Sequence, residues 1–219
     1  MTLPVLFPLR AVDTATVHVA RHPRGRRRVT IDHRPLEGVT PADLLDWFTS
    51  IGGTMDYGGQ QVPRYLAWHP RDHVRWQLDR PARSGGAGEG ARFRIVERFD
   101  QRPEYAVDVV DRVEKLDETG IRLVQRVAGV IVLQLEHTWS AGRGRTHYVS
   151  VLDLGARAHL YAPVNRLVGR RFPDDMVRAW IRHNIEEVGQ LQHLLPLLHR
   201  PAAASAADSR RGVRCRASS

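Results

Sequence analysis

Two segments of the sequence carry residue pairs whose types and spacing suit metal binding. The segment YLAWHPRDHVRW contains His69 and His73, and much later IRHNIEEVG contains His183 and Glu187 at the same four-residue spacing. Imidazole and carboxylate groups are ligands that zinc and similar cations take readily in proteins. The spacing raises the question of whether these distant segments form one metal site.

The later pair lies in an amphipathic segment that predicts a long last helix, which starts behind Pro173. On a helix, side chains four residues apart share a face, so His183 and Glu187 can reach one cation. Glu187 also falls within the apolar arc of that helix, where a carboxylate is costly unless it is paired or metal-bound. The alternative is that Glu187 reaches water or pairs with one of the many arginines, while Glu186 points outward.

The earlier pair flanks a proline. Pro70 prevents a regular strand ladder, so we expect His69 and His73 to lie on either side of a kink or bulge. Asp72 is placed to orient a ligand imidazole. The alternative is a surface loop whose histidines satisfy backbone groups, and the pattern does not choose between His69 and His73 as the ligand.

A third acidic residue is predicted to point inward. In the segment FRIVERF, strand alternation places Phe93, Ile95, Glu97 and Phe99 on one face, which is apolar apart from Glu97. A carboxylate on that face points to a core or a pocket. Two inward acids and a histidine from each of two elements make up a four-ligand set.

The elements that would position these residues follow from periodicity and turn residues. Thr40 and Pro41 predict a helix start, and Gly52 and Gly53 predict its end. Alternating, β-rich segments then predict an antiparallel meander, with strands at 65–68, 73–79, 91–99, 105–116, 120–140 (broken near Gly129) and 146–155. Helix, curved antiparallel sheet and long last helix is the order of an α+β helix-grip fold, which leaves a cavity between sheet and helix.

The chain divides into three parts on composition. Residues 1–38 are rich in Pro and Arg and predict an extended basic arm with one strand-like piece, RRRVTIDHR. Residues 39–200 form the helix-grip domain. Residues 201–219 predict a disordered basic tail that carries the single cysteine, Cys215. One cysteine excludes an internal disulfide and a thiolate metal cluster.

Charge and hydropathy narrow the class of protein. The net charge is +9, but the excess is concentrated near the two ends, at 21–28 and 209–216, so we expect no specific nucleic-acid partner. Apolar runs fall short of the roughly 18 residues that a membrane-spanning helix needs. The opening MTLPVLFPL lacks the basic start of a signal peptide, so cytoplasm is expected.

Four segments taken together resemble a known family. In this order, YGGQQVPRYLAWHPRDHVRW, ARFRIVERF, LEHTW with THYVSVLDLG, and HNIEEVGQLQHLLP resemble the 2,4-diacetylphloroglucinol hydrolase family, which includes phloretin hydrolase. The resemblance covers roughly residues 40–198. It implies a START-like helix-grip domain that binds zinc and hydrolyses the carbon–carbon bond between a phenolic ring and an acyl group.

The resemblance also implies roles for individual residues. The zinc ligands of the family match His73, which fits better than His69, and Glu97, His183 and Glu187. Residues that contact the substrate in the family match Tyr65, His137 and Tyr148. The implied partner is a small phenolic or acyl-aromatic substrate.

Two departures from the family leave alternatives open. Trp76 stands where the family has an Asn that contacts the substrate, and the region before the first helix is shorter than the one that helps the founding member to dimerise. A homodimer is therefore left open. Other functions compatible with the pattern are a different zinc hydrolase, a metal-free helix-grip carrier of a hydrophobic or aromatic ligand, and an anion- or nucleic-acid-binding protein that uses the basic ends.

Overall fold

Eleven strands and four α-helices make up residues 3–199, the part of the chain that the computed structural model describes. The strands are β1 Thr16–His22, β2 Arg26–Asp32, β3 Leu36–Glu37, β4 Thr54–Tyr57, β5 Gln60–Pro63, β6 His73–Arg80, β7 Arg92–Arg98, β8 Ala106–Asp117, β9 Gly120–Val127, β10 Val130–Ala141 and β11 Arg145–Leu154. The helices are α1 Pro41–Thr49, α2 Arg64–Trp68, α3 Ala162–Arg171 and α4 Asp174–Leu198.

Nine of the strands form one antiparallel sheet. Its order is β1, β2, β11, β10, β9, β8, β7, β6, and β3 pairs with β11 beside this path. From β6 to β11 each strand pairs with the next one along the chain, which is the meander that the sequence predicts. Strands β4 and β5 form a separate hairpin.

Helix α4 packs against one face of the sheet, and most of the residues of the helix are buried. Its side chains enter two apolar clusters: Met176 and Ile185 pack with β2 and β11, and Leu191 and Leu194 pack with α1 and α2. Burial of a large apolar side chain contributes roughly 1.5–3 kcal/mol, so this helix contributes much of the core. The α+β helix-grip architecture predicted from the sequence, an antiparallel sheet packed against a long last helix, is confirmed.

Helix α1 begins where the sequence predicts. Thr40 accepts a hydrogen bond from the Asp43 backbone N–H, and the Asp43 carboxylate accepts from the Thr40 backbone N–H, which is a capping box. The buried face of the helix presents Leu44, Trp47 and Phe48 to the core. Phe48 stacks on Trp139 of β10, which fixes α1 across the middle of the sheet.

Residues 65–68, predicted as a strand, form part of α2 instead. The run is short and apolar, and periodicity alone cannot separate a buried strand from a buried helical turn in such a run. Tertiary contacts decide the outcome, because the Trp68 indole N–H donates to the Glu187 carbonyl on α4 at 2.8 Å. The predicted break near Gly129 is confirmed, since Ala128 and Gly129 form the turn between β9 and β10.

The prediction of an extended arm over residues 1–38 is wrong for residues 16–37. Strands β1 and β2 continue the sheet beyond β11, and the strand-like piece RRRVTIDHR corresponds to β2. The reason is side-chain alternation, which places Val29 and Ile31 fully inside the core. The predicted tail, 201–219, lies outside the described residues. None of the described helices is long and apolar enough to cross a membrane.

The capping box makes the start of α1 sensitive to one hydroxyl group. We expect Thr40→Ala to lower the free energy of unfolding by about 1 kcal/mol, since one N-terminal N–H loses its acceptor. For a chain of this size the melting temperature should fall by about 2–4 °C, measured by circular dichroism. Thr49→Ala is the matched control, because exposed Thr49 bonds only to carbonyls of its own helix. Equal effects of the two substitutions would contradict the assigned cap.

Candidate functional site

Four predicted ligand residues meet between the sheet and α4. His73 begins β6 and pairs in register with Glu97 on β7, while His183 and Glu187 lie one turn apart on α4. His73 Nε2 is 3.4 Å from both Glu97 Oε1 and Glu187 Oε2. His183 Nε2 is 3.6 Å from Glu187 Oε2 and 4.0 Å from Glu97 Oε1. We call these four residues the ligand cluster.

The His73 ring is held with one nitrogen free. Its Nδ1 lies 2.6 Å from the Tyr65 carbonyl oxygen, which can only accept, so Nδ1 carries the proton. Its ring also stacks on the Tyr65 ring, with centroids 3.9 Å apart. The Nε2 atom therefore presents a lone pair to the ligand cluster, where it is buried and has no hydrogen-bond partner.

The His183 ring is oriented by Asp72. The Asp72 carboxylate lies 3.1 Å from His183 Nδ1 and accepts backbone N–H groups of Asp100 and Gln101. These hydrogen bonds hold the pKa of Asp72 down at about 2, despite its burial, so the carboxylate is ionised. His183 donates from Nδ1 and turns Nε2 to the ligand cluster, as a carboxylate partner does for many metal-bound histidines.

Both carboxylates of the ligand cluster are also oriented. Glu97 Oε1 accepts from the Tyr65 hydroxyl at 2.5 Å. Glu187 Oε1 accepts from the Asn184 amide nitrogen at 2.6 Å, which leaves Oε2 facing the two imidazoles. Asn184 is the residue that sequence reasoning missed, although its position three residues before Glu187 on the same helix was a usable signal.

His69 lies outside the ligand cluster because both of its ring nitrogens have other partners. Nδ1 accepts from the Asp72 backbone N–H at 3.1 Å, and Nε2 lies 3.0 Å from Glu186 Oε2. His69 thus fastens the loop before β6 to α4. Glu186, predicted to point outward, has a side chain only 12% exposed for this reason. The structure brings together His73, not His69, with the two glutamates.

Burial favours the uncharged form of each side chain in the ligand cluster. Desolvation raises the pKa of Glu97 to about 7 and that of Glu187 to about 8. It lowers the pKa of His73 to about 4 and that of His183 to about 3, so both imidazoles are neutral at pH 7, as metal ligands must be. Two neutral imidazoles, one of them with an unpartnered buried Nε2, and two acids form a donor set that fits a divalent cation such as zinc.

An apolar cavity adjoins the ligand cluster. It has a volume of about 50 Å³, is bounded on one side by Glu97 and Glu187, and has aromatic and aliphatic walls that include Phe48, Trp68, Trp76, Phe93 and Ile121. Pockets for drug-sized ligands measure roughly 300–1,000 Å³, so this cavity must widen to admit a substituted ring.

A second pocket of about 110 Å³ lies next to the cavity and opens outward. The two share Ile51, Tyr65 and Trp76, whose side chains form the wall between them. Gly52 permits this wall, because a Cβ atom there would lie 2.5 Å from the Trp76 ring. Trp76 thus lies between the second pocket and the cavity beside the ligand cluster.

The three predicted substrate-contacting residues take different positions. Tyr65 and His137 both line the cavity, although the Tyr65 hydroxyl already donates to Glu97. Tyr148 is fully buried beside His137, with ring centroids 5.5 Å apart, and its hydroxyl has no partner. It is not among the residues that line the cavity.

Comparison with known proteins yields likeness of fold alone. No family model and no curated protein matches the chain. Protein Ms6760 from Mycobacterium smegmatis is 11% identical over 82% of this chain and 98% of its own, with a TM-score of 0.46. A START superfamily protein from the same organism is 10% identical over 74% of this chain and 98% of its own, with a TM-score of 0.39.

A third similar structure is the di-domain ARO/CYC protein BexL from the BE-7585A biosynthetic pathway. It is 11% identical over 82% of this chain and 52% of its own length, so this chain spans about half of it, and the TM-score is 0.47. Likeness at this level carries no argument about the chemistry of the ligand cluster.

The wall between the pockets can be tested by removing Trp76. We expect Trp76→Ala to raise the association rate of anilinonaphthalene sulfonate by about one decade, because the ligand no longer waits for the indole to move. Stopped-flow fluorescence measures this rate. Val74→Ala is the control, since Val74 lines only the outer pocket. Unchanged association in the Trp76 variant would show that ligands enter elsewhere.

Proposed function

We propose that this chain is a zinc-dependent hydrolase that cleaves the carbon–carbon bond between a phenolic ring and an acyl group. The observation that carries the proposal is the convergence of four oriented side chains: Glu97 and Glu187 lie 3.4 Å from the unpartnered Nε2 atom of His73, and Glu187 lies 3.6 Å from His183 Nε2. The likeness of the sequence to acylphloroglucinol hydrolases supports the choice of reaction. The adjoining aromatic cavity supports the choice of a ring-shaped substrate.

The residues that would hold the metal are His73, Glu97, His183 and Glu187. When bound, zinc supplies a Lewis acid that polarises an acyl carbonyl and activates water. The protein contributes rigid ligands, since Tyr65 holds both the His73 ring and the Glu97 carboxylate, while Asp72 holds the His183 ring. Two carboxylates beside a dication leave the local charge near neutral, which suits a phenol better than a phosphate.

The leaving group sets a further requirement on the site. Expulsion of an aryl carbanion is prohibitive, so the ring carbon must gain a proton before the bond breaks. A ring with hydroxyl groups ortho or para to the acyl group can tautomerise to a ketone, which makes that proton transfer accessible. The cavity must therefore hold a group that hydrogen-bonds a ring hydroxyl and exchanges its proton.

His137 is the side chain best placed for this exchange. It lines the same cavity as Glu97 and Glu187, and burial lowers its pKa to about 3, so it is neutral at pH 7. A neutral imidazole can accept a hydrogen bond from a ring hydroxyl. Tyr65 and Tyr148 keep their protons, because burial raises the pKa of both phenols well above the usual value.

A second candidate function is that of a metal-free carrier for a hydrophobic or aromatic ligand. It is favoured by the helix-grip architecture and by the apolar walls of the cavity, which bind ligands without chemistry in many folds. This reading requires that the ligand cluster hold no metal. Metal content therefore separates the two candidates.

The first test is elemental analysis of the purified protein, before and after reconstitution with zinc. We expect about one zinc per chain, as in other sites with four protein ligands. His73→Ala should weaken zinc binding by more than about 100-fold, because it removes a direct ligand, whereas loss of an outer partner costs 10–100-fold. His69→Gln should retain the metal.

Two outcomes would contradict this assignment. Zinc retained by His73→Ala but lost by His69→Gln would exchange the roles of the two histidines. Absence of metal from the reconstituted wild-type protein would leave the carrier as the better account.

The second test is turnover of acetylated phloroglucinols, followed by release of acetate. We expect His137→Asn to lower kcat by about 10²–10⁴-fold, the usual effect of losing a proton-transfer group, with zinc content unchanged. His147→Asn is the control, because His147 is exposed on the neighbouring strand β11. A zinc-loaded protein that cleaves aryl esters but not acyl phenols would contradict the carbon–carbon specificity while keeping the metal site.

A further inference from the structure

Two leucines protrude into solvent at the side of the sheet where α3 lies. Leu160, in the single helical turn His159–Tyr161 before α3, is 90% exposed, and Leu167 of α3 is 62% exposed. They are the two most exposed of the large apolar side chains in residues 3–199. Scattered exposed leucines are ordinary on a protein surface, so the pair matters only through its surroundings.

Helix α3 is fixed with Leu167 on its outer side. The buried Asn165 side chain accepts from the Ala156 backbone N–H at 2.7 Å and donates to the Ala156 carbonyl at 3.0 Å. At about 100° per residue, Arg166, Leu167 and Arg170 lie on the side of the helix away from Asn165, and all three are exposed. The protruding leucine is therefore flanked by two cations.

The arginine-rich turn between β1 and β2, Pro23–Gly25, packs against α3. Arg26 follows this turn, and a Cβ atom at Gly155 would lie 3.1 Å from both Arg26 Cγ and the Asn165 amide carbon. The absence of a side chain at residue 155 thus lets the two segments meet. The basic run 21–28, far from α3 in the sequence, lies beside it in the fold.

Five arginines in these two segments keep an uncompensated charge. They are Arg24, Arg26, Arg157, Arg166 and Arg170, and none of them forms an ion pair with any residue of 3–199. Two carboxylates line neighbouring pockets, but Asp153 is paired with Arg28, and Asp174 with Arg21 and Arg27. Residues 155–172 contain four arginines and no acid. We call the two leucines and the five arginines the α3 surface.

An open pocket of about 530 Å³ adjoins the α3 surface. It is lined by Arg26 and Arg157, and by Val130 and Ile131 of β10. Guanidinium groups bind phosphate oxygens through paired hydrogen bonds. The pocket thus repeats on a small scale the combination of cationic and apolar groups that the whole surface shows.

This combination selects the kind of partner. A second copy docked through the same surface would bring two sets of arginines together, which electrostatic repulsion opposes. A nucleic acid would pair its phosphates with the arginines but would leave two protruding leucines without a function. An anionic bilayer meets both requirements, because its phosphates attract arginines and its headgroup–acyl boundary accepts apolar side chains.

We propose that the α3 surface docks this protein on anionic membranes, with Leu160 and Leu167 inserted at the boundary between headgroups and acyl chains. The arginines of the surface bind lipid phosphates. Docking of this kind needs no membrane-spanning helix. The proposal is independent of the metal and of the reaction proposed above.

Flotation of the full chain with lipid vesicles tests the docking. We expect the wild-type protein to bind vesicles that contain phosphatidylglycerol and not vesicles of phosphatidylcholine alone. Binding should weaken when the salt concentration rises from about 0.1 M to about 1 M, since the Debye length falls from about 10 Å to about 3 Å. Failure of the wild-type protein to bind anionic vesicles at the lower salt concentration would overturn the proposal.

Two double substitutions separate the charges from the leucines. Arg166→Glu with Arg170→Glu should weaken binding by at least about tenfold, because each arginine near an anionic surface strengthens binding about fivefold. Leu160→Ser with Leu167→Ser should also weaken binding by at least about tenfold, because apolar side chains then no longer leave water. All four residues are exposed, so both variants should melt at the wild-type temperature.

Matched controls come from the opposite edge of the sheet. Arg83→Glu with Arg112→Glu makes the same change of charge at exposed positions near β6, and Val74→Ser removes an apolar side chain that is exposed on β6 itself. These variants should bind vesicles within about twofold of the wild type, which is less than the effect of one arginine at the surface. An equal loss in the arginine control would assign binding to total charge and would contradict the α3 surface.

Other occupants of the surface would give different results. If vesicle binding survives both double substitutions at the α3 surface, another basic segment such as 209–216 holds the protein and the proposal fails. If a duplex oligonucleotide binds through Arg166 and Arg170 while vesicles do not bind, the surface is a nucleic-acid site. If light scattering shows a dimer that the leucine substitutions dissociate, and vesicles do not bind, a second copy covers the surface. Both of these results overturn the proposal.

Discussion

The structure depends on two carboxylates that are buried side by side, one on the sheet and one on the last helix. Glu97 and Glu187 both approach the Nε2 atom of His73, and burial raises the pKa of each. An arrangement of this kind is unfavourable unless hydrogen bonds and a cation offset it. The neighbouring residues meet part of that need, since Tyr65 donates to Glu97 and Asn184 donates to Glu187.

The parts of this arrangement set by local sequence could be predicted, and those set by tertiary contacts could not. The capping box at Thr40, the apolar arc of α4 and the inward face of β7 each follow from spacing within one element. The strand-like character of β2 was predicted, but its place in the sheet was missed because it comes from pairing with β11, more than a hundred residues away in the sequence. Strand β1 was missed because it joins the sheet only through β2. The choice of His73 over His69 likewise depends on the distant Glu186, which occupies His69.

Trp76 and Gly52 pack against each other at the wall of the cavity. The Trp76 ring lines the cavity, and it fits because residue 52 has no side chain, since a Cβ atom there would lie 2.5 Å from the ring. The hydrolase family that the sequence resembles has an asparagine at the position of Trp76. The tryptophan therefore presents an apolar surface where that family has a polar group.

A carrier and a hydrolase would share this architecture. They would differ in the group that compensates the negative charge of Glu187. Its Oε2 faces the imidazoles of the ligand cluster, and its Oε1 accepts a hydrogen bond from the Asn184 amide nitrogen. Both oxygens of this carboxylate are therefore held in place by neighbouring side chains. A carrier needs only an apolar space, whereas a hydrolase needs a fixed cation. Two oriented imidazoles beside two oriented carboxylates are the groups that would hold such a cation.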